Sequence, residues 1–190
     1  RRRQNLDTCR KAMLNAISED KDLFGGDTAI KDIYDKIDEV AQEIKDLESL
    51  IQDRMDVMAK KDPLLITNYS IVRSVHGVGV INGIAFIVYT ENFRKYPTAN
   101  KMATAWGVAP FKDDSGIDIH KPAHVSYFHN HWLNGLLTCA ANRAIQFDDK
   151  MRNYFDRLIE KGKPKGVAYN NVKSKMIHII YTMVKNQTMY

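Results

Sequence analysis

The sequence predicts a mainly α-helical protein in which a long coiled-coil helix precedes a compact helical domain. Apolar residues recur at spacings of three and four along most of the chain, the spacing of a helix face. Glycine and proline separate these apolar segments. The chain has 190 residues and is 44% hydrophobic, which suffices for one domain with an appendage. We expect a helical segment over residues 1–62 and a C-terminal helical domain over residues 63–190.

Two helices are expected before Pro63. The first covers residues 4–18, and Gly25-Gly26 follows it as a break. The second begins at an Asp27 or Thr28 cap, and Pro63 ends it. Its apolar seam has heptad spacing and is rich in isoleucine: Ile30, Ile33, Ile37, Val40, Ile44, Leu47, Ile51 and Met58. Such a seam is typical of a coiled coil. Because the first helix is too short to cover it, we expect a homodimer or higher oligomer; the alternative is packing on the globular domain.

A glycine-containing turn joins two short apolar segments after Pro63. Residues 64–75 predict one helix and residues 80–90 the next, with His76-Gly77-Val78-Gly79 between them. This pattern resembles a helix-hairpin-helix, in which backbone N–H groups and a helix N-terminus hold a phosphate whatever the base sequence. Gly77, Val78 and Gly79 are therefore candidate contacts to a DNA or RNA backbone. The alternative is a tight corner between two packed helices.

The rest of the domain is expected to contain four helices and one long loop. Thr98 caps the first helix, and residues 107–125 then lack a helical period, so we expect a loop with a possible small β-hairpin near 107–124. Long loops in compact domains are often functional. The later helices are predicted from Ser126 to about Ile145, from Asp149 to Lys161 and from Val167 to Lys185. In the last of these, the lysines are expected to face outward: Lys173, Lys175 and Lys185.

The charge of the chain permits an acidic partner such as nucleic acid. The net charge is +5 and the pI about 9.1. The candidate phosphate contacts are basic residues of the C-terminal domain: Arg94, Lys95, Lys101, Lys112, Lys121, Lys163 and Lys165.

Several classes of protein are disfavoured by composition. The longest apolar run is too short to span a bilayer, and no signal-peptide pattern is present. Cys9 and Cys139 lie far apart, so we expect no disulfide framework and a reducing cytoplasm. A structural zinc site is not expected, because Pro122 separates His120 from His124 and no cysteine lies nearby. A tyrosine recombinase is not expected either, since Tyr154 shares a helical stripe with apolar core residues.

Several segments of the last two-thirds of the chain together resemble one family. They are Val75-His76-Gly77-Val78-Gly79, Phe93-Arg94-Lys95-Tyr96-Pro97-Thr98-Ala99-Asn100-Lys101, Trp106-Gly107-Val108-Ala109-Pro110, Ser115-Gly116 and Arg157-Leu158-Ile159-Glu160-Lys161-Gly162-Lys163-Pro164. In this order and spacing, the set resembles the C-terminal domain of the transposases of the insertion sequence 110, 116 and 902 group. The preceding coiled coil also fits the layout of that family.

The resemblance implies a recombinase that acts on DNA and is guided by an element-encoded RNA. It implies that the serine of the Ser-Gly pair, here Ser115, attacks a phosphodiester. It also implies an N-terminal domain of RNase H fold whose four acidic residues bind magnesium. That domain is not recognisable in this sequence, so we expect no cofactor in this fragment and little or no catalytic competence from it alone.

One departure from the family pattern follows the serine. Many members carry basic residues and a Leu-Arg pair there, whereas this chain has histidines, aromatic residues and Asn134. Two other functions therefore stay open on sequence alone. One is a non-catalytic helix-hairpin-helix module that binds DNA, and the other is a coiled-coil assembly domain.

Overall fold

A computed structural model of the chain describes residues 2–19, 27–111, 124–125 and 129–190. Eight α-helices account for most of the described residues, which confirms the mainly α-helical class. The chain divides into two compact units, Arg1–Lys61 and Asp62–Tyr190.

The elements follow one another along the chain as helices with one short strand pair. They are α1 (Arg2–Glu19), α2 (Asp27–Lys61), α3 (Pro63–Ser74), α4 (Val80–Tyr89), α5 (Ala99–Ala105), β1 (Pro110–Phe111), β2 (His124–Val125), α6 (His131–Phe147), α7 (Asp149–Glu160) and α8 (Lys165–Asn186). The two strands pair antiparallel, with Pro110 opposite Val125 and Phe111 opposite His124. This pairing lies where a small β-hairpin was predicted, and the residues between its strands lie outside the described ranges.

The first unit is a pair of packed helices. α1 lies along α2, and its first residues form ion pairs with the middle of α2: Arg2 Nη2 lies 2.5 Å from Glu43 Oε1, and Arg3 Nη2 lies 2.7 Å from Glu48 Oε1. Ile37 and Ile44 of the predicted seam are buried. Beyond Glu48, Leu50, Val57 and Met58 are each 52% exposed.

The second unit is built around α8, which packs against α3, α5, α6 and α7. Its inward face is almost completely inaccessible to solvent: Val172, Met176, Ile177 and Ile180. The Phe86 ring of α4 packs on the Trp106 ring with centroids 4.6 Å apart. Burial of these large apolar side chains is the main source of stability in this unit.

Side-chain caps fix the starts of four helices in this unit. Asp62, Thr98, Asn130 and Asp148 each accept hydrogen bonds from amides in the first turn of α3, α5, α6 and α7. Thr98 was predicted as a cap, and the structure confirms it. The cap of α6 is Asn130 rather than the predicted Ser126, because the Asn130 carboxamide oxygen accepts from Trp132 N and Leu133 N.

Each unit carries one free thiol at its surface, Cys9 in α1 and Cys139 in α6. Among the described helices, none is both long and apolar enough to cross a membrane.

Candidate nucleic-acid interface

Residues 75–79 connect α3 to α4, and Gly77 and Val78 in this turn pack towards the rest of the unit. Gly77 has a φ of +88°, a conformation that favours glycine. A Cβ atom on Gly77 would lie 2.2 Å from the carbonyl oxygen of Ala140 and 2.8 Å from the amide nitrogen of Ala144. The backbone of Gly77 therefore contacts the backbone of α6, and only glycine fits there. Val78, with 6% of its surface exposed, is buried as well.

The second half of the turn faces outward. Gly79 is exposed, and no atom lies within 4 Å of the position that its Cβ would take. It is the N-cap of α4 and provides no side-chain hydrogen bond to the first turn. The first amide groups of a helix point along the axis and carry the positive end of the helix dipole. Of the three predicted contacts in this turn, Val78 is buried, Gly77 is half-buried against α6 and Gly79 is exposed.

Arg73 was missed by sequence reasoning, and it lies beside this end of α4. Its Nη1 atom donates a hydrogen bond to the carbonyl oxygen of Val78 at 3.3 Å. Its aliphatic part crosses Gly83, where a Cβ would lie 3.0 Å from Arg73 Cδ. The signal in the sequence was a glycine in the first turn of the very apolar α4, which leaves room for a long side chain from α3.

A second group of predicted cations follows α4. The backbone of Glu91, Asn92 and Phe93 has φ between 52° and 62°, and the buried Phe93 ring anchors this loop. Arg94 and Lys95 are exposed after it. Arg94 Nη2 lies 3.7 Å from Asp62 Oδ2, so part of its charge is balanced.

The remaining predicted cations lie apart in the chain. Lys101 is exposed on α5, and Lys163 and Lys165 are exposed where α7 passes into α8. Lys112, Lys121 and the candidate nucleophile Ser115 lie outside the described residues.

Polar side chains hold the backbone at residues 106–108, which precedes β1. Asn134 Nδ2 donates to the carbonyl oxygens of Trp106 at 3.1 Å and Gly107 at 2.7 Å. Asn170 Nδ2 donates to the Val108 carbonyl oxygen at 2.9 Å. The Asn134 side chain, noted above as a departure from the family pattern, thus has a structural task in this chain.

Lys173 completes this network, and its predicted outward orientation is wrong. The side chain is 9% exposed, and its ammonium donates to Asn134 Oδ1 at 2.9 Å and to Thr138 Oγ1 at 3.4 Å. Position 173 faces α6 rather than solvent, because its ammonium bonds to Asn134 and Thr138 of that helix. Burial lowers the pKa of Lys173 below its usual 10.5.

A cluster of titratable groups lies on the other side of the 75–79 turn. Tyr190 Oη donates to Asp148 Oδ2 at 2.6 Å, and His76 Nδ1 lies 3.7 Å from the same oxygen. Burial alone would raise the pKa of Asp148, but the hydrogen bonds from Tyr190 and from two helix amides, with His76 nearby, lower it. Burial and the hydrogen bond to Asp148 raise the pKa of Tyr190 to about 12.

No three metal-binding side chains come together within residues 2–19, 27–111, 124–125 and 129–190. The His129 and His131 rings lie 4.2 Å apart, without an acid or cysteine completing a set in that part of the chain. The described residues therefore do not fit a bound metal ion.

Comparison with known proteins shows two similarities to insertion-sequence proteins. Residues 69–156 match the family model described as Transposase IS116/IS110/IS902 family. The chain is also similar to a protein of Streptomyces coelicolor described as "Insertion element IS110 uncharacterized 43.6 kDa protein", with 28% identity over 120 residues. That alignment covers 63% of this chain and 29% of the other protein, so the chain matches less than a third of its relative's length.

Proposed function

We propose that this chain is a DNA-binding part of a transposase of that family and acts in DNA transposition. Both similarities support the transposase family, and this family supports a role in transposition or recombination. The match over residues 69–156 includes the 75–79 turn and the whole of α4, α5 and α6.

The exposed N-terminus of α4 is the observation that carries the DNA-binding part of the proposal. Gly79 exposes the helix end without a side-chain cap, and Arg73 holds a cation beside it. Helix N-termini bind phosphate through amide N–H groups and the helix dipole, and such contacts do not read base sequence. Arg94, Lys95, Lys101, Lys163 and Lys165 would add salt-dependent affinity, and we propose the same role for Lys112 and Lys121.

We further propose that Ser115 is the nucleophile for attack on a phosphodiester. The support for this role is the resemblance of the Ser115-Gly116 segment to the serine motif of the family. A serine hydroxyl needs a base or a metal ion to become an effective nucleophile. From the family resemblance, we propose that an acidic, magnesium-binding domain of the full-length transposase supplies it.

Two kinds of partner belong to the same proposal. A guide RNA is proposed from the family resemblance. A second copy of the chain is proposed from α2, where Leu50, Val57 and Met58 leave apolar surface exposed beyond the ion pairs with α1.

The test is the variant Ser115→Ala in the full-length transposase, compared with Ser70→Ala as a matched loss of one hydroxyl. We expect Ser115→Ala to remove the covalent protein–DNA adduct seen on a denaturing gel, while DNA affinity changes less than about threefold, since the hydroxyl adds no charge contact. Ser70→Ala should keep the adduct. An adduct that still forms in Ser115→Ala would show that another residue is the nucleophile. Residues 1–190 would then be better described as a non-catalytic DNA-binding module of the transposase.

The alternative of a coiled-coil assembly domain without any nucleic-acid role is tested by a second measurement, the salt dependence of DNA binding. The affinity of the chain for a DNA duplex should fall steeply as salt rises, because bound cations displace counterions from the phosphates. Absence of any DNA binding at low salt would overturn the proposed function.

A further inference from the structure

One face of α7 carries a stripe of cations around a tyrosine. Lys150, Tyr154, Arg157 and the C-cap residue Lys161 recur at spacings of four, three and four, so they follow the same side of the helix. All three cations are exposed. Tyr154 is half-buried, at the edge of the buried stripe in which the sequence had placed it.

α8 adds a fourth cation to the same place. Lys175 Nζ lies 4.0 Å from the centre of the Tyr154 ring, and Arg157 Cζ lies 5.6 Å from it. An aromatic ring attracts cations through its quadrupole. Tyr154 thus holds one cation from each of two helices close together, against their mutual repulsion.

The acidic residues of α7 lie on another face. Asp149, Asp156 and Glu160 are spaced by seven and four, and Asp149 Oδ1 lies 3.2 Å from Arg152 Nη1. In the described part of the chain, no carboxylate forms an ion pair with Lys150, Arg157, Lys161 or Lys175, although Arg94 and Arg152 have such partners.

We propose that this basic face, defined by Lys150, Tyr154, Arg157, Lys161 and Lys175, binds the sugar-phosphate backbone of DNA. It is built from elements other than the α3–α4 turn and would be a second contact. Two of these cations meet at the Tyr154 ring, and none of the four has a carboxylate partner among the described residues. Such a row of unpaired cations favours a polyanion over a single ion. Along the α7 axis, Lys150 and Arg157 are about 10 Å apart and Arg157 and Lys161 about 6 Å, so they can meet several phosphates of a strand. DNA is the polyanion because the inference rests on the proposed function.

The test compares the 190-residue chain with the variant Arg157→Gln/Lys161→Gln/Lys175→Gln, by fluorescence anisotropy of a labelled 20-base-pair duplex over a salt series. Each lost phosphate contact reduces the magnitude of the negative slope of log affinity against log salt by about 0.9, so we expect that magnitude to fall by roughly 2 to 3. At about 100 mM salt, the dissociation constant should rise about 10-fold or more.

Two control variants separate the effect of where the charges lie on DNA affinity from the effect of the total charge. Lys11→Gln/Lys36→Gln/Lys45→Gln removes the same charge from exposed positions of α1 and α2, and should change the affinity less than about threefold. Arg157→Lys/Lys175→Arg keeps the charges on the basic face and should bind like the unmodified chain. Circular dichroism before each titration verifies the fold, and if the triple variant is unfolded, Arg157→Gln/Lys161→Gln gives the same comparison with a slope change of about 2.

The outcomes distinguish this inference from the function on which it rests. If the unmodified chain binds DNA and the basic-face variant binds it as tightly as the control variant does, the basic face has no role. If the variant loses affinity only for an RNA of equal length, the assignment to DNA is overturned. If the unmodified chain binds no DNA, the proposed function fails first.

Discussion

Gly77 and Gly79 are two positions apart in the chain but have opposite surroundings. Gly77 has a positive φ and lies against the α6 backbone, whereas Gly79 has a φ of −79° and open space where a side chain would lie. Both looked equally suited to a phosphate contact in the sequence. What the sequence does not reveal is that α6, about sixty residues later, occupies the space beside Gly77.

Replacing each glycine by alanine should therefore give different results. We expect Gly77→Ala to lower the free energy of unfolding by about 2–4 kcal/mol, because strain at φ and a steric clash with Ala140 act together. Gly79→Ala should change it by less than about 1 kcal/mol, since an alanine is compatible with its φ. Urea unfolding of the two variants measures both values, and equal losses would contradict this account.

Lys173 is the second residue whose environment decides its behaviour. Its ammonium has no carboxylate partner among the described residues, and burial lowers its pKa below 10.5. Between this lowered pKa and 10.5 the unfolded chain binds more protons than the folded chain, so the contribution of Lys173 to the free energy of unfolding rises with pH. Below that window its unfavourable contribution is complete and constant.

The variant Lys173→Met lacks this titration. We expect the unmodified chain to gain stability relative to Lys173→Met as the pH is raised towards 10.5. Denaturant unfolding of both proteins at several pH values measures the difference. Ionisation of Tyr190, whose pKa is raised to about 12, lowers stability above pH 10 in both proteins and cancels in this comparison. A difference that does not vary with pH would show that Lys173 titrates alike in both states.

At the scale of the elements, the helices were predictable because the signals that start, continue and end a helix lie within a few residues of one another in the chain. The spacing of apolar residues, the Thr98 cap and Pro63 indicated helices close to those observed. The start of α6 was placed too early, because Ser126 and Asn130 are both good caps and the choice depends on tertiary contacts. Asn130 N donates to the Ala105 carbonyl oxygen, a contact between distant parts of the chain that local rules do not include.

The exposed part of α2 gives a prediction at this scale. Leu50 and Val57 are seven residues apart and therefore lie on one side of the helix, each 52% exposed. If a second copy covers them, Leu50→Glu/Val57→Glu should convert the assembly to a monomer at micromolar concentration, because two charges would be buried. Light scattering after gel filtration measures the mass. Lys45→Glu, on another side of α2, changes the net charge by the same amount and should leave the assembly intact; a monomeric unmodified chain would contradict the proposal.

At the scale of the whole molecule, the sequence placed a boundary near Pro63, and the structure divides the chain at Lys61. The second unit has its own apolar core around Trp106, Met176 and Ile180. We therefore expect residues 62–190 to fold alone, with a sharp thermal transition by circular dichroism, since a core of this size supports cooperative unfolding. A gradual, non-cooperative transition would show that the unit depends on residues 1–61.

The candidate site was less predictable than the fold. Exposed cations such as Lys101 and Lys163 can be named from the sequence, but which cations share a surface depends on how helices pack. Arg157 of α7 and Lys175 of α8 meet at the Tyr154 ring. Local sequence patterns do not predict this contact, because it depends on how the two helices pack. Arg73 likewise has a role only through the approach of α3 to Gly83.

The two surface thiols make the arrangement of the units accessible to spectroscopy. Cys9 and Cys139 are free and exposed, one in each unit, and the chain has no other cysteine. A donor and an acceptor dye can thus be attached without first replacing any residue. Energy transfer between the dyes would report how far the helical pair lies from the globular unit, and whether adding a duplex changes that distance.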